Sequence, residues 1–241
     1  MHMIDLLATL YYGAVLLLSI YGLLGLFTLF IYLRLRKRPE PQPRPPLIWP
    51  SVTVQLPIYN ERYVVEALIE AAIALDYPAD KLQIQVVDDS TDDTTAQAAR
   101  LVERYQAQGR QISLQHRRHR QGYKAGALDE ALREATGEYI VLFDADFLPP
   151  ADFLQQTIPY FLDHPELAIV QARWGHSNAS SSALTAAQAI ALDKHFAIEQ
   201  LVRQRANYFP KFNGSASVLR RGAVDEVGGW HGDTVTEDLC L

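Results

Sequence analysis

Cysteine is nearly absent from this chain of 241 residues, which contains only Cys240. A single cysteine excludes an intramolecular disulfide and a cysteine-rich zinc site, and it agrees with a reducing compartment. Basic residues are also few, because 22 Lys and Arg stand against 28 Asp and Glu and leave a net charge of -6. Nucleic-acid-binding domains are more often basic. We therefore expect no nucleic-acid partner.

Charged side chains are missing from residues 6–33. This apolar run is longer than the ~20 residues that a helix needs to cross a bilayer. A cleaved signal peptide is disfavoured, because no Lys or Arg precedes the run and no small-x-small cleavage site follows it. Four basic residues come directly after it, namely Arg34, Arg36, Lys37 and Arg38. We therefore predict a transmembrane helix with its basic flank over residues 1–38. The positive-inside rule then predicts that the amino terminus lies outside and that the rest of the chain is cytoplasmic.

The rest of the chain divides into a linker and one large predicted domain. Six prolines within residues 39–50 predict an extended, semi-rigid spacer. Over residues 51–241, β-type runs alternate with helical patterns, which predicts an α/β fold with a mostly parallel central sheet. Predicted strands cover residues 51–58, 82–87, 112–116, 139–143, 167–174 and 212–221, and the last long predicted helix covers residues 180–205.

Two predicted strands end in paired acids. The segment EYIVLFDAD carries Asp144 and Asp146 at the end of a buried-strand pattern, and Asp88 and Asp89 follow an earlier strand. Ligands of open α/β sheets collect at the carboxyl ends of the strands. Neighbouring carboxylates there repel each other unless a cation lies between them. We expect a divalent ion carrying a phosphate at Asp144 and Asp146, whereas Asp88 and Asp89 alone fit a turn equally well.

Other candidate groups are ambiguous when each is taken alone. Lys124 begins a predicted helix in GYKAGAL, where a phosphate could bind, although the segment is no Walker loop. The arginines and histidines of the preceding segment, residues 116–120, are interpreted as a solvated basic loop. Trp230 fits either packing or stacking on a sugar. Near the end of the chain, Glu237 and Asp238 include a possible general base.

In their order along the chain these segments resemble the family 2 glycosyltransferases, and most closely the cellulose synthase-like and glucomannan synthase-like membrane enzymes. The resemblance covers about residues 51–241 and rests on VQLPIYNE, DDSTDD, GYKAGAL, FDADFLP, VQARW, FNGSASVLRR and GGWHGDTVTEDL. It implies a GT-A type domain that transfers a hexose, with inversion, from UDP-glucose or GDP-mannose to a growing β-glycan. The implied cofactor is Mg²⁺ or Mn²⁺.

The resemblance also implies roles for individual residues. Asp88, Asp89 and Lys124 would bind the donor, and Asp144 and Asp146 would bind both donor and metal. Asp238 would be the catalytic base. The acceptor side would comprise Phe212, Asn213, Gly214, Ser215 and Glu237.

Two family features are missing from the sequence. The QxxRW motif and the further membrane helices of processive members do not follow Asp238, and QARW at residues 171–174 has the wrong spacing. We therefore expect an amino-terminal portion of a longer enzyme, whose membrane subunits and processivity stay open. Two alternatives are a membrane-anchored nucleotide-binding domain without turnover and a haloacid dehalogenase-type phosphatase, which also places DxD after a strand.

Overall fold

A computed structural model of the chain describes residues 3–39 and 43–232. The chain forms two compact units. One contains residues 1–41 and 173–211, and the other contains residues 42–172 and 212–241.

The second unit is an α/β domain built on a sheet of six strands. Its strands are β1 Val52–Ile58, β2 Leu82–Asp88, β3 Ile112–His116, β4 Tyr139–Leu142, β5 Ile169–Gln171 and β6 Ser217–Arg220. Its helices are α2 Val65–Ile73, α3 Thr94–Ala107, α4 Tyr123–Leu132, α5 Phe153–Asp163 and α8 Arg221–Glu226, with a 3₁₀ turn at Ala79–Lys81. The prediction of an α/β fold with a mostly parallel sheet is confirmed.

The strand order is β3-β2-β1-β4-β6-β5. The first four strands of this order run parallel, whereas β6 is antiparallel to both of its neighbours. The carboxyl ends of β1 to β4 therefore share one edge of the sheet. Ser217, the first residue of β6, pairs with Leu142, the last residue of β4. The segment that leads into β6 consequently arrives at that same edge.

The sheet is buried on both faces, as expected of a parallel sheet. On one face, Ile140 and Leu142 pack with Leu128 of α4. On the other, the rings of Tyr139 and Phe143 pack against Phe161 and Phe153 of α5, with centroids 4.8 and 4.9 Å apart respectively. Successive side chains of β4 point to opposite faces because a strand has a period of two. Packing on both faces fixes the backbone that leads to Asp144.

Two buried glutamines join neighbouring strands inside this core. Gln55 of β1 donates from Nε2 to Oε1 of Gln85 in β2, at 3.0 Å, and Gln85 donates in turn to the carbonyl of Ala131 in α4. A buried amide costs free energy unless it is hydrogen-bonded. These two hydrogen bonds therefore favour one relative alignment of β1, β2 and α4.

The first unit contains α1 Met3–Leu35, α6 Ala183–Lys194, a π-helical segment His195–Gln200 and α7 Leu201–Arg205. Residues Asp5–Leu35 of α1 are long and apolar enough to cross a membrane. Among the described side chains of α1, only Thr28, Ile31, Tyr32 and Leu35 are partly or fully buried. They recur at helical spacing on the last two turns, and Arg205 of α7 donates to the carbonyl of Leu35 at 2.8 Å.

Three predicted elements differ in extent from the observed ones. The strand predicted over residues 167–174 is confined to Ile169–Gln171, and the strand predicted over residues 212–221 is confined to Ser217–Arg220. The backbone explains the second difference, because Gly214 and Ala216 both have positive φ angles and interrupt the extended conformation. The helix predicted over residues 180–205 begins only after the Ser182 cap and contains the π-helical segment.

Candidate active site

A cleft of about 410 Å³ opens at the shared edge of the sheet. Its walls come from the ends of β1, β2 and β4 and from the start of α4. They include Tyr59, Asp89, Lys124, Asp144 and Asp146. Four of the five side chains predicted to bind the donor therefore line one cleft, because the parallel strands deliver them to the same edge.

Asp144 and Asp146 follow β4 with the buried Ala145 between them. The Asp144 side chain is partly exposed, and Asp146 is exposed. The backbone N–H of Asp144 donates to Oγ of the buried Ser215, at 2.9 Å. Lys124 Nζ lies 2.7 Å from Oδ1 of Asp144 and donates to the carbonyl of Gly214 at 3.2 Å. Helix α4, strand β4 and the approach to β6 thus meet at one carboxylate.

Asp88 differs from the other predicted donor ligands because its side chain is fully buried. Its Oδ1 accepts from the backbone N–H of Ser90, and its Oδ2 accepts from the Thr95 hydroxyl at 2.6 Å. Nδ1 of His116 lies 2.8 Å from the same Oδ2. A buried carboxylate with three partners is suited to holding the ends of β2 and β3 together. In this arrangement Asp88 supports the loop that carries Asp89 and does not face the cleft.

Asp89 binds two arginines of the loop between β3 and α4. Arg117 donates from Nε and Nη2 to the two carboxylate oxygens, both at 2.7 Å, and both side chains are about nine-tenths buried or more. This pairing raises the pKa of the Arg117 guanidinium, because the carboxylate stabilises its charged form. Arg120 Nε lies 3.6 Å from Asp89, and its guanidinium stacks on the Tyr59 ring with Cζ 3.4 Å from the centroid.

The interpretation of residues 116–120 as a solvated loop is therefore wrong for Arg117 and Arg120, whereas His116 is exposed but also lies against Asp88. Each contacts an acid or an aromatic ring of the site, and the Arg117 guanidinium also donates to the carbonyls of Gln121 and Tyr123. The acids of β2 attract this loop because they would otherwise be buried without counter-charge.

The predicted acceptor-side residues lie along the approach to β6. Phe212 packs against Trp230 with ring centroids 6.5 Å apart, and the backbone N–H of Asn213 donates to Oε1 of Gln171. Trp230 is 4 % exposed and belongs to the cluster below α4, so it packs in the core. The carbonyl of Gly214 accepts from Lys124, and the hydroxyl of Ser215 accepts from the backbone N–H of Asp144. Glu237 and Asp238 lie outside the described residues.

Two glycines bring the end of the described chain close to the site. A Cβ added at Gly232 would lie 2.8 Å from Cα of Gly122, the residue that caps the start of α4 with a positive φ angle. Only glycines allow backbones to approach this closely. The segment that leads toward Glu237 and Asp238 therefore leaves the described part of the domain beside the helix that carries Lys124.

The donor set at Asp144 and Asp146 fits a hard divalent ion. Among residues 3–39 and 43–232 there is no cluster of three or more side chains that could form an all-protein metal cage. Magnesium commonly binds through one or two carboxylates together with substrate phosphates. Two carboxylates beside a lysine thus suit a metal that arrives with a diphosphate.

The family model for glycosyl transferase family 2 matches residues 53–228, which include the sheet and the cleft. The chain belongs to glycosyl transferase family 2. The predicted family is thereby confirmed, and the alternative of a haloacid dehalogenase-type phosphatase loses its support.

The relatives of this glycosyltransferase domain include plant enzymes. The chain is 45 % identical over 197 residues to glucomannan 4-beta-mannosyltransferase 2 of Arabidopsis thaliana. It is 43 % identical to glucomannan 4-beta-mannosyltransferase 1 of Oryza sativa subsp. japonica over the same length. The match covers 80 % of this chain in both cases, but only 37 % and 38 % of the relatives. The chain thus spans less than half the length of the curated relatives it matches.

Solved structures agree with the GT-A type fold. A mannosyltransferase from Pyrobaculum calidifontis, in complex with GDP-Man and Mn²⁺, superposes with a TM-score of 0.73 at 28 % identity. The match covers 93 % of this chain and 60 % of that one. TarS of S. aureus, residues 1–349, shares the fold alone, with a TM-score of 0.56 at 17 % identity.

Sequence reasoning on this glycosyltransferase domain missed Tyr59, Arg117 and Arg120. The register of the sheet contains the signal that could have found Arg117. Asp88 pairs with His116 across β2 and β3, so the residues that follow these two positions leave the sheet side by side. A parallel alignment of LQIQVVDD with ISLQHRR would have placed Arg117 next to Asp89.

Proposed function

We propose that this chain is the donor-binding, amino-terminal part of an inverting, metal-dependent mannosyltransferase that extends a β-glycan at the cytoplasmic face of a membrane. The observation that carries the proposal is the convergence of Asp144, Asp146 and Lys124 on one cleft. GDP-mannose is the preferred donor, because the plant relatives and the Pyrobaculum enzyme are named mannosyltransferases and the latter was solved with GDP-Man. UDP-glucose is the alternative donor.

The proposed roles follow from charge and position. Asp144 and Asp146 would hold Mg²⁺ or Mn²⁺, which supplies charge neutralisation to the departing diphosphate when bound. Lys124 would donate to a phosphate oxygen. Asp89 and Arg120, at the β2 side of the cleft, would contact the nucleoside. Asp88 would act only by holding the Asp89 loop in place.

The proposed base lies outside the described residues. We propose that Asp238 accepts the proton of the acceptor hydroxyl as that oxygen attacks the anomeric carbon and the diphosphate departs. Gly232 lies beside the start of α4, and six further residues can reach at most about 20 Å. A single displacement inverts the anomeric centre, so an α-linked donor would give a β-glycoside. The acceptor would approach along residues 212–215 and Glu237.

The membrane anchor fits the same scheme. Helix α1 would span the bilayer, and the basic flank at residues 34–38 would keep the catalytic domain on the cytoplasmic side. A cytoplasmic site has direct access to nucleotide sugars.

Donor binding is the first test. The full chain, purified in detergent, is melted with Mn²⁺ and either GDP or UDP. One nucleotide at about 100 times its Kd should stabilise the fold by about 2.7 kcal/mol, which raises the Tm by roughly 5–11 °C for a chain of this size. Asp144→Asn should abolish the shift, whereas Asp80→Asn, at the opposite edge of the sheet, should retain it. No shift with any nucleotide would refute the proposed site.

Transfer is the second test. Membranes containing the chain receive labelled GDP-mannose or UDP-glucose and a β-mannan oligosaccharide. Mannosyl transfer that Asp238→Asn abolishes, with nucleotide binding unchanged, would support the whole proposal, whereas transfer by that variant would refute the assignment of the base. Binding without any transfer favours a nucleotide-binding domain without turnover, which the short coverage of the relatives makes the second candidate.

A further inference from the structure

We infer that Lys124 couples metal binding to nucleotide binding, by competing with the divalent ion for Asp144 until a diphosphate draws the ammonium away. The inference rests on the proposed donor site. Its starting point is the contact between Lys124 Nζ and Asp144 Oδ1 at 2.7 Å, at the cleft and between partly exposed side chains.

The Lys124 ammonium contacts acceptors on different segments of the chain. Besides the carboxylate of Asp144, it donates to the carbonyl of Gly214 at 3.2 Å. Gly214 precedes Ser215, whose hydroxyl accepts from the backbone N–H of Asp144. These contacts place the ammonium on the same side of the carboxylate as the backbone of residues 214–215. The ion pair between Lys124 and Asp144 is therefore part of the ordered structure of the site.

A metal ion on Asp144 would conflict with this arrangement. Mg²⁺ binds a carboxylate oxygen at about 2.1 Å, so a metal on Oδ1 would stand within about 5 Å of an ammonium on the same oxygen. Two cations at that separation repel each other. Asp146 would be the second ligand. Its side chain is exposed, so by itself it would bind the metal only weakly. With Lys124 in place, the two carboxylates consequently form a poor metal site.

A nucleoside diphosphate removes the conflict. Its phosphate oxygens are strong acceptors for an ammonium, and they also supply the remaining ligands that a hard cation requires. Lys124 would then bind phosphate and leave Asp144 and Asp146 to hold the metal, which would neutralise charge on the diphosphate. Metal and nucleotide therefore each increase the affinity for the other, and the factor is the same in both directions because binding free energies are linked.

The test measures Mn²⁺ binding directly, from the loss of the free-ion electron paramagnetic resonance signal, with and without saturating GDP. We expect wild-type Kd for Mn²⁺ to fall at least about tenfold when GDP is present. Lys124→Met should change the two values in opposite directions, with tighter Mn²⁺ binding in the absence of GDP and weaker binding in its presence. The first of these changes is expected because the substitution removes the ammonium that opposes a cation at Asp144.

Lys81→Met is the matched control, because it removes one positive charge at the opposite edge of the sheet, where β2 begins. It should leave both Kd values unchanged, and circular dichroism should confirm that both variants fold. If Lys124→Met binds Mn²⁺ alone no more tightly than the wild type, the coupling is refuted while the donor site stands. If the wild type binds neither Mn²⁺ nor GDP, the proposed function itself fails.

Discussion

Replacement of Arg117 by methionine tests whether the pair with Asp89 holds the donor edge of the domain together. The Arg117 side chain is 9 % exposed and that of Asp89 is 5 % exposed. Removing one partner of a buried, bidentate pair costs about 3–5 kcal/mol, because the other charge stays buried without its partner. Methionine keeps most of the aliphatic volume, so the expected loss is mainly electrostatic. Arg120 Nε, 3.6 Å from Asp89, offsets part of it, which favours the lower end of that range.

The assay is denaturant unfolding of the chain in detergent, followed by circular dichroism. A loss of about 3 kcal/mol corresponds to a Tm lower by roughly 6–12 °C for a chain of this size. Arg118→Met is the control, since Arg118 is the exposed neighbour in the same loop, and it should change the stability by less than about 0.5 kcal/mol. A loss below about 0.5 kcal/mol for both substitutions would show that the loop is solvated after all.

Three further predictions concern the site, the pH dependence and the core. Asp144→Asn should reduce Mn²⁺ affinity in the presence of GDP at least about tenfold, measured by the same resonance signal, because a neutral amide is a poor ligand for a hard cation. Burial raises the pKa of Tyr77, whose hydroxyl donates to the carbonyl of Pro50, so the stability contributed by its neutral form should persist below pH about 10 and fall above it. Tyr77→Phe should flatten that alkaline loss in pH-dependent unfolding, and an unchanged slope would assign the loss to other groups. Gly137→Ala should destabilise the domain by about 1–3 kcal/mol, because its Cβ would lie 2.3 Å from the backbone N of Thr53, whereas Gly222→Ala has open space and should be neutral.

The alternation of strand and helix patterns was sufficient to predict the sheet and the edge at which the acids meet. Each parallel strand is a short β-prone run, and the carboxyl ends of such strands share an edge whatever their order. The antiparallel direction of β6 could not be predicted in this way, because FNGSASVLRR gives no sign of its pairing partner. Its short extent depends on the positive φ angles at Gly214 and Ala216, which a pattern of apolar residues does not reveal.

The acids of the site were found from sequence, but their partners were not. Carboxylates at the ends of strands are conspicuous, since they interrupt apolar runs. Arginines in a polar loop look solvated until the fold places a buried acid beside them. Lys124 was predicted to bind phosphate, whereas its contact with Asp144 depends on how α4 enters the cleft after Gly122. To predict such long-range pairings, one needs the register of the sheet as well as the composition of the loop.

The length of α1 has a consequence for its proposed role as a membrane anchor. Its 33 residues extend about 50 Å, whereas the hydrocarbon core of a bilayer is about 30 Å thick. The buried face at Thr28, Ile31, Tyr32 and Leu35 occupies only the last two turns, which leaves the preceding apolar turns to cover the full thickness. Because the helix is longer than the hydrocarbon core is thick, it could span a thicker membrane when parallel to the bilayer normal and a thinner one when tilted. The hydrophobic length of this proposed anchor therefore does not restrict it to membranes of one thickness.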